Sequence, residues 1–264
     1  MTRTSTPGAA GATSRARTAA RMSFHEVMET LEKAGSEQTR RTYARHGALE
    51  PMFGVSFATL KTLVKRIRVD HELALALWET GNHDARMLAI KVADPDMLGP
   101  SELDRWARES WMGMCGAYVS LLAADGPHGE SRARAWLTSS ETELRAAGWA
   151  LVARLATMDE SASDDWFLEL LARMEATIHS APNAERGAMN QAIITLGGRN
   201  AALRDAASAA AMRIGTVAVD HGDTACKTPD AVSYIAKTWT HALAKGFESP
   251  AAQERAREPM RTRC

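Results

Sequence analysis

The clearest indication of the fold class comes from residues 141–179, ETELRAAGWALVARLATMDESASDDWFLELLARMEATIH. Apolar residues recur in this run every three or four positions, which is typical of amphipathic helices. The two apolar stripes consist of Leu144, Gly148, Leu151 and Leu155, and of Phe167, Leu170, Leu171, Met174 and Ile178. We therefore predict two consecutive helices, over residues 141–157 and 162–179, that each bury one side.

The same periodicity continues on both sides of this run, and Gly, Pro, Asp and Ser residues separate the periodic segments. The predicted helices cover residues 23–33, 36–46, 57–68, 71–80, 84–93, 101–108, 111–123, 129–138, 141–157, 162–179, 184–197, 200–214 and 229–243. Thr228 is the predicted cap of the last helix, with Pro229 at its first position. Because short amphipathic helices bury their apolar sides by pairing, we expect an all-α superhelical stack of antiparallel helix pairs, an α-solenoid with degenerate repeats.

The two terminal segments lack this pattern. Residues 1–22 are rich in Thr, Ser, Ala and Gly and contain no acidic residue, so they cannot bury a core. We predict a disordered tail over residues 1–22, one repeat domain over residues 23–243 and a charged, frayed tail over residues 244–264. A targeting peptide has a composition similar to that of the first segment, and Met22 is an alternative start of translation.

The overall composition excludes several classes of protein. The three cysteines, Cys115, Cys226 and Cys264, lack C-x-x-C spacing, which argues against a disulfide framework or a structural zinc site and favours the reducing cytoplasm. No apolar run approaches the roughly 20 residues that a membrane-spanning helix needs. Nucleotide-binding and Ser-His-Asp motifs are missing, so the sequence predicts no cofactor and no hydrolase, kinase or dehydrogenase.

One short segment has metal-ligating residue types. His221, Asp223 and Cys226 lie within six residues of one another in a polar loop between two predicted helices. A single H-x-D-x-x-C pattern without a second cluster is weak, and such side chains also hold the backbone of a structural loop. We therefore predict no metal site.

The basic residues suggest an interaction surface. The chain has 32 Lys and Arg against 32 Asp and Glu, a formal net charge of zero, so binding of nucleic acid must depend on where the cations lie. Candidate phosphate contacts are Arg41, Arg45, Lys61, Lys65, Arg68 and Arg86, with Arg145, Arg154, Arg199, Arg204 and Lys227 as their continuation. A curved stack would align such residues along one concave face, although each one alone is also an ordinary surface charge.

Two runs resemble the N-terminal signature of the bacterial DNA alkylation repair (alkylpurine glycosylase) family: FGVSFATLK, residues 53–61, and LALALWETGNHDAR, residues 73–86. LDRW, residues 103–106, extends the resemblance, which covers roughly residues 23–243. The resemblance implies an armadillo-type superhelix of HEAT-like repeats that cradles duplex DNA. It also implies excision of cationic alkylated purines without insertion of the base into a deep pocket.

The chemistry that the resemblance implies uses a carboxylate against the developing oxocarbenium sugar, aromatic rings against the lesion and an arginine near the backbone. Trp111 matches the first aromatic residue, Arg145 the arginine, and Trp149 lies one turn after it. The catalytic Asp position falls on Gly116, with Cys115 as the alternative. The second cleft tryptophan of the family would fall near Asn190 and Gln191. Because neither residue is a tryptophan, this aromatic residue is missing as well.

Loss of the carboxylate removes several kcal/mol of transition-state stabilisation, which corresponds to about a thousandfold in rate or more. We therefore expect a DNA-binding protein without efficient glycosylase chemistry, acting on duplex DNA, with damaged or branched DNA as further candidates. The expected DNA contacts are Lys61, Lys65, Arg68, Arg86, Trp111, Arg145 and Trp149. Two alternatives stay open: a glycosylase that uses Asp104 or Glu109 instead, and a helical-repeat scaffold for another protein.

Overall fold

The structure of the protein, a computed structural model, describes residues 21–110 and 116–257. These residues form fourteen α-helices: α1 Phe24–Ala34, α2 Glu37–Arg45, α3 Phe57–Ile67, α4 His71–Glu79, α5 His83–Val92, α6 Pro100–Ser110, α7 Gly116–Ala124, α8 Gly129–Leu137, α9 Thr142–Met158, α10 Asp164–Thr177, α11 Asn183–Leu196, α12 Ala201–Ile214, α13 Ala231–Ala244 and α14 Pro250–Arg255. The predicted disordered tail lies outside the described residues, apart from its last two positions. No helix in the described ranges is long and apolar enough to span a membrane.

Local capping sets many of the helix starts. The side chains of Ser23, Ser36, Ser56, Asp70, Asn82, Asn200, Asp230 and Ser249 each accept a hydrogen bond from a backbone N–H in the first turn of the helix that follows. At α13 the cap is Asp230 and not the predicted Thr228, because the Asp230 carboxylate receives the Ser233 N–H at 2.8 Å. An ionised acceptor at this position also interacts favourably with the helix dipole.

The helices pack as antiparallel pairs in two layers. The odd-numbered helices from α3 to α13 contact one another in sequence and form an inner row, and the even-numbered helices from α4 to α12 cover its other side. At Gly148 of α9 a Cβ atom would lie 3.2 Å from the Cβ of Trp136, so glycine lets α8 and α9 approach closely. The predicted all-α stack of helix pairs is thus confirmed.

Residues 250–255 differ from the frayed tail predicted over residues 244–264, because they form a packed helix; residues 258–264 lie outside the described residues. Helix α14 packs against α9 and α13, and its residues Ala251 and Gln253 are buried. The Ala251 N–H donates to the Gly198 carbonyl at 3.0 Å, and Arg255 donates to the Thr157 carbonyl at 2.9 Å. The serine cap and the proline at the first helical position are a start signal, but a helix of six residues is too short for its periodicity to be recognised.

Candidate nucleic-acid interface

The two runs that carry the family resemblance meet in space at Asp84. Its fully buried carboxylate accepts the backbone N–H groups of Phe53, Gly54 and Val55 at 2.7, 3.0 and 2.8 Å. Hydrogen bonds to an ionised acceptor in a low-dielectric interior are stronger than neutral ones. Asp84 therefore anchors residues 53–55, the segment that leads directly into α3. This anchor helps to fix the position of α3.

Helix α3 presents an unpaired basic stripe, which we define as Lys61, Lys65 and Arg68. Lys61 and Lys65 lie at i and i+4 on one side of the helix, Arg68 directly follows its last residue, and Leu60 and Val64 are buried on another side. Lys65 and Arg68 are exposed and Lys61 is half-buried. None of the three side chains forms an ion pair or hydrogen bond with another residue in the described ranges. Without a protein counter-ion, these cations are available to an external anion.

Arg68 also has an unusual backbone conformation. It follows the last residue of α3 with φ 67° and ψ −121°, and it is the one residue other than glycine with positive φ among the described residues. A side chain in this region costs of order 1–3 kcal/mol. The exposed guanidinium at this position is therefore kept at a cost in stability.

We expect Arg68→Gly to raise the free energy of unfolding by about 1 kcal/mol, because glycine adopts positive φ without strain. Urea denaturation followed by tryptophan fluorescence measures the change. The matched control is Arg66→Gly in the last turn of α3, which should lower stability by about 1 kcal/mol. Equal destabilisation by both variants would contradict strain at Arg68.

Arg86, in contrast to the basic stripe, has partners on neighbouring helices, and 21% of its side chain is exposed. Its Nη2 lies 2.7 Å from Oε2 of Glu109, and its guanidinium lies 4.8 Å from the ring centroid of Trp78. The indole Nε1 of Trp78 donates to the same Glu109 oxygen at 2.8 Å. Glu109 of α6 thus joins the indole and guanidinium of α4 and α5, and Arg86 acts as a link between helix pairs.

Arg145 and Trp149 form a second cluster of the same kind. Arg145 Nε donates to Glu185 of α11 at 2.9 Å, and Trp149 Nε1 donates to the other carboxylate oxygen of Glu185 at 3.3 Å. Trp149 is fully buried and Glu185 is 4% exposed. In contrast to the expectation that Trp149 lines the DNA cleft, its ring belongs to the core, because the buried indole N–H needs an acceptor and finds one on the next pair.

Three of the other candidate arginines also have partners within the protein. Arg154 is 6% exposed and pairs with Asp125. Arg199 is 9% exposed and donates to Asp164 and to backbone carbonyls near the end of α9. Arg204 lies over the ring of Trp239 at 5.0 Å. The expected continuation of the basic track therefore consists largely of arginines that connect helices. Of the other candidates, Arg41 pairs with Glu37, whereas Arg45 and Lys227 are exposed and have no partner among the described residues.

The position expected for the catalytic carboxylate carries no acid. Gly116 is buried at the start of α7, while Trp111 and Cys115 lie outside the described residues. Of the two substitute acids, Asp104 is bound by Arg132 at 3.1 Å and by the Trp136 indole N–H at 2.6 Å. Glu109 is bound by Arg86 and Trp78, as described above. Both carboxylates are thus already paired with an arginine and an indole N–H of the protein.

The inner row lines a shallow groove. Two adjoining hollows of about 560 and 400 Å³ share Ala117 of α7, Ala150 of α9 and Gln191 of α11. Asn190, near the position of the second cleft tryptophan, is buried and donates its amide to the Pro229 carbonyl at 3.0 Å. The groove therefore has small residues at Ala117 and Ala150, and an asparagine and a glutamine where the second cleft tryptophan was expected.

The loop between α12 and α13 closes one side of this groove. Asn183 exchanges two hydrogen bonds of 2.8 Å with the backbone of Asp220. His221 Nε2 lies 3.0 Å from the Thr228 hydroxyl, and Cys226 is exposed. In the part of the chain that the structure describes, no three His, Cys, Asp or Glu side chains are grouped as metal ligands. The segment is a hydrogen-bonded structural loop.

Paired helices in two layers, with a groove along the inner row, define an α-solenoid of HEAT-like repeats. The sequence profile of the family described as "DNA alkylation repair enzyme" matches residues 27–235. The chain belongs to this family, which confirms the resemblance stated from residues 53–61 and 73–86.

Comparison with solved structures and curated relatives agrees with this assignment. The chain is similar to a structure described as "a new family of proteins related to the HEAT-like repeat DNA glycosylases with affinity for branched DNA structures", with a TM-score of 0.75 and 28% identity over 87% of this chain and 98% of that one. It is also 27% identical over 224 residues to the uncharacterized proteins Lmo0209 of Listeria monocytogenes and Lin0241 of Listeria innocua, covering 82% of this chain and 97% of each relative.

Proposed function

We propose that this protein binds DNA, including branched DNA, through the basic stripe of α3, and that it lacks efficient glycosylase chemistry. The observation that carries the binding proposal is the stripe itself, because three adjacent cations without protein counter-ions are suited to phosphates. Membership of the DNA alkylation repair family supports the nucleic-acid target. The structural neighbour described as having affinity for branched DNA supports the kind of DNA.

The experiment that tests binding is a salt titration with two DNA molecules. Fluorescence anisotropy with a labelled duplex and a labelled four-way junction should give dissociation constants that weaken steeply as salt increases, because bound counter-ions are released from the phosphates. We expect the junction to bind more tightly than the duplex. No complex with either DNA at low salt would refute the proposal and favour the alternative of a protein-binding scaffold.

The second part of the proposal concerns catalysis. Gly116 at the expected catalytic position and the structural partners of Asp104 and Glu109 support loss of the reaction. A carboxylate that is already bound to an arginine and an indole is a weak electrostatic partner for a developing oxocarbenium ion.

We expect the protein to release no N3- or N7-methylated purine from methylated DNA beyond the spontaneous rate. The measurement is chromatography of the free bases after incubation with excess protein, so that even single-turnover release is detected. The control variant Glu109→Gln distinguishes spontaneous loss of the base from release by a relocated carboxylate. If the loss is only spontaneous, the release rate should be the same with this variant as with the unaltered protein. Protein-dependent release by the unaltered chain would refute this part of the proposal, and a fall of that release in Glu109→Gln, with an unchanged unfolding transition in urea, would indicate Glu109 as a relocated catalytic carboxylate.

A further inference from the structure

At the far end of the inner row from α3, helix α13 carries a solvent-facing aromatic residue beside a cation. Tyr234 is 43% exposed, whereas Trp239 on the same helix is 5% exposed and packed in the core. Lys237 follows at i+3, and its ammonium lies 5.7 Å from the Tyr234 ring centroid. Lys237 has no acidic partner among the residues that the structure describes. Tyr234 and Lys237 therefore expose a ring and a positive charge together.

Tyr234 stands between two hollows. One is the groove hollow of about 560 Å³, which runs along α7, α9, α11 and α13. The other has a volume of about 750 Å³ and lies between α13 and α14, with Lys237, His241 and Arg257 in its lining. Glu254 also lines it and pairs with Arg257 at 2.8 Å. The residue thus lines both hollows, which are of the size that small ligands and nucleotides occupy.

We propose that Tyr234, with Lys237 beside it, is a subsite for an unpaired nucleotide of single-stranded DNA. An exposed aromatic ring stacks on any base, and a cation a few ångströms away can contact the adjoining phosphate. A base inside a duplex is already stacked on both faces, so the ring selects unpaired nucleotides. This inference rests on the proposed function, because it assigns a second contact point to the same DNA ligand.

The distance between the basic stripe of α3 and Tyr234 indicates which kind of DNA can contact both. Five helix-to-helix steps separate α3 from α13 along the inner row, which corresponds to roughly 40–50 Å at ordinary packing distances. A duplex arm on the basic stripe of α3 and an unpaired segment at Tyr234 can therefore belong to one molecule. Forked or branched DNA contains both parts, whereas a plain duplex offers only the first.

The test compares Tyr234→Ala with Tyr234→Phe in binding a labelled oligothymidylate of about a dozen nucleotides, measured by anisotropy on the full chain. Tyr234→Ala should weaken binding about five- to 150-fold, because it removes one base-stacking contact, and Tyr234→Phe should stay within about twofold. The matched control is Phe24→Ala on α1, since Phe24 is 42% exposed but lies on another helix. Phe24→Ala should leave oligothymidylate binding unchanged.

The outcomes separate this inference from the proposed function. If the unaltered protein binds duplex DNA but not oligothymidylate, or if Tyr234→Ala binds oligothymidylate normally, the subsite is refuted while binding through α3 stands. If neither duplex DNA nor oligothymidylate binds, both the subsite at Tyr234 and DNA binding through the basic stripe of α3 are refuted. Selective loss of oligothymidylate binding in Tyr234→Ala, with duplex affinity kept, supports the subsite, and a fork should then lose its advantage over a duplex in the same variant.

Discussion

Asp84→Ala is expected to lower the free energy of unfolding by at least about 3 kcal/mol, a large part of the stability of an ordinary domain. The substitution removes the single acceptor of three backbone N–H groups, those of Phe53, Gly54 and Val55. Each N–H would remain buried or partly buried without a partner, at a cost of about 1–3 kcal/mol. Urea denaturation followed by tryptophan fluorescence measures the loss.

A second variant keeps this prediction informative if Asp84→Ala does not fold. Asp84→Asn preserves the shape of the side chain and one acceptor oxygen. It should therefore lower the free energy of unfolding by less than the alanine variant does. The control is Asp205→Ala on the exposed side of α12, which should change stability by no more than about 0.5 kcal/mol. Similar stabilities for Asp84→Ala and Asp205→Ala would contradict the role of Asp84 as the anchor before α3.

The combined variant Lys61→Gln, Lys65→Gln, Arg68→Gln is expected to weaken binding of duplex DNA by on the order of a hundred- to a thousandfold at low salt. Each phosphate contact contributes about 0.9 to the slope of log affinity against log salt, so three lost contacts reduce the slope by about 2.7. Anisotropy titrations over a range of salt concentrations give both numbers. Unfolding in urea should stay nearly unchanged, because none of the three side chains has a protein partner.

The matched control removes the same net charge from other helices. Lys33, Arg134 and Arg213 are exposed and already pair with Glu29, Glu130 and Glu175, so their combined replacement by Gln should cost only a small fraction of the affinity. A loss equal to that of the α3 variant would mean that overall charge, and not the basic stripe, governs binding.

The helices could be predicted from sequence because the signals for them are local. Apolar spacing and capping residues act within a few positions of the chain, so thirteen predicted segments correspond to α1 through α13. The short α14 was missed for the same reason, since its stability comes from contacts with α9 and Gly198 and not from a long periodic pattern. The basic stripe of α3 could also be predicted, because Lys61 and Lys65 share one side of a single helix and Arg68 follows directly at its end.

The sequence by itself determined the all-α repeat class, the family and the cationic side of α3. Only the tertiary structure decided that Arg86, Arg145 and Trp149 bind carboxylates of the protein, because these partners lie 23 to 40 residues away on the next helix pair. The same holds for Tyr234, whose exposure depends on how α13 and α14 pack. The sequence shows that a residue is charged or aromatic but not whether it is buried or exposed. Its role depends on which carboxylate or hollow the fold places beside it.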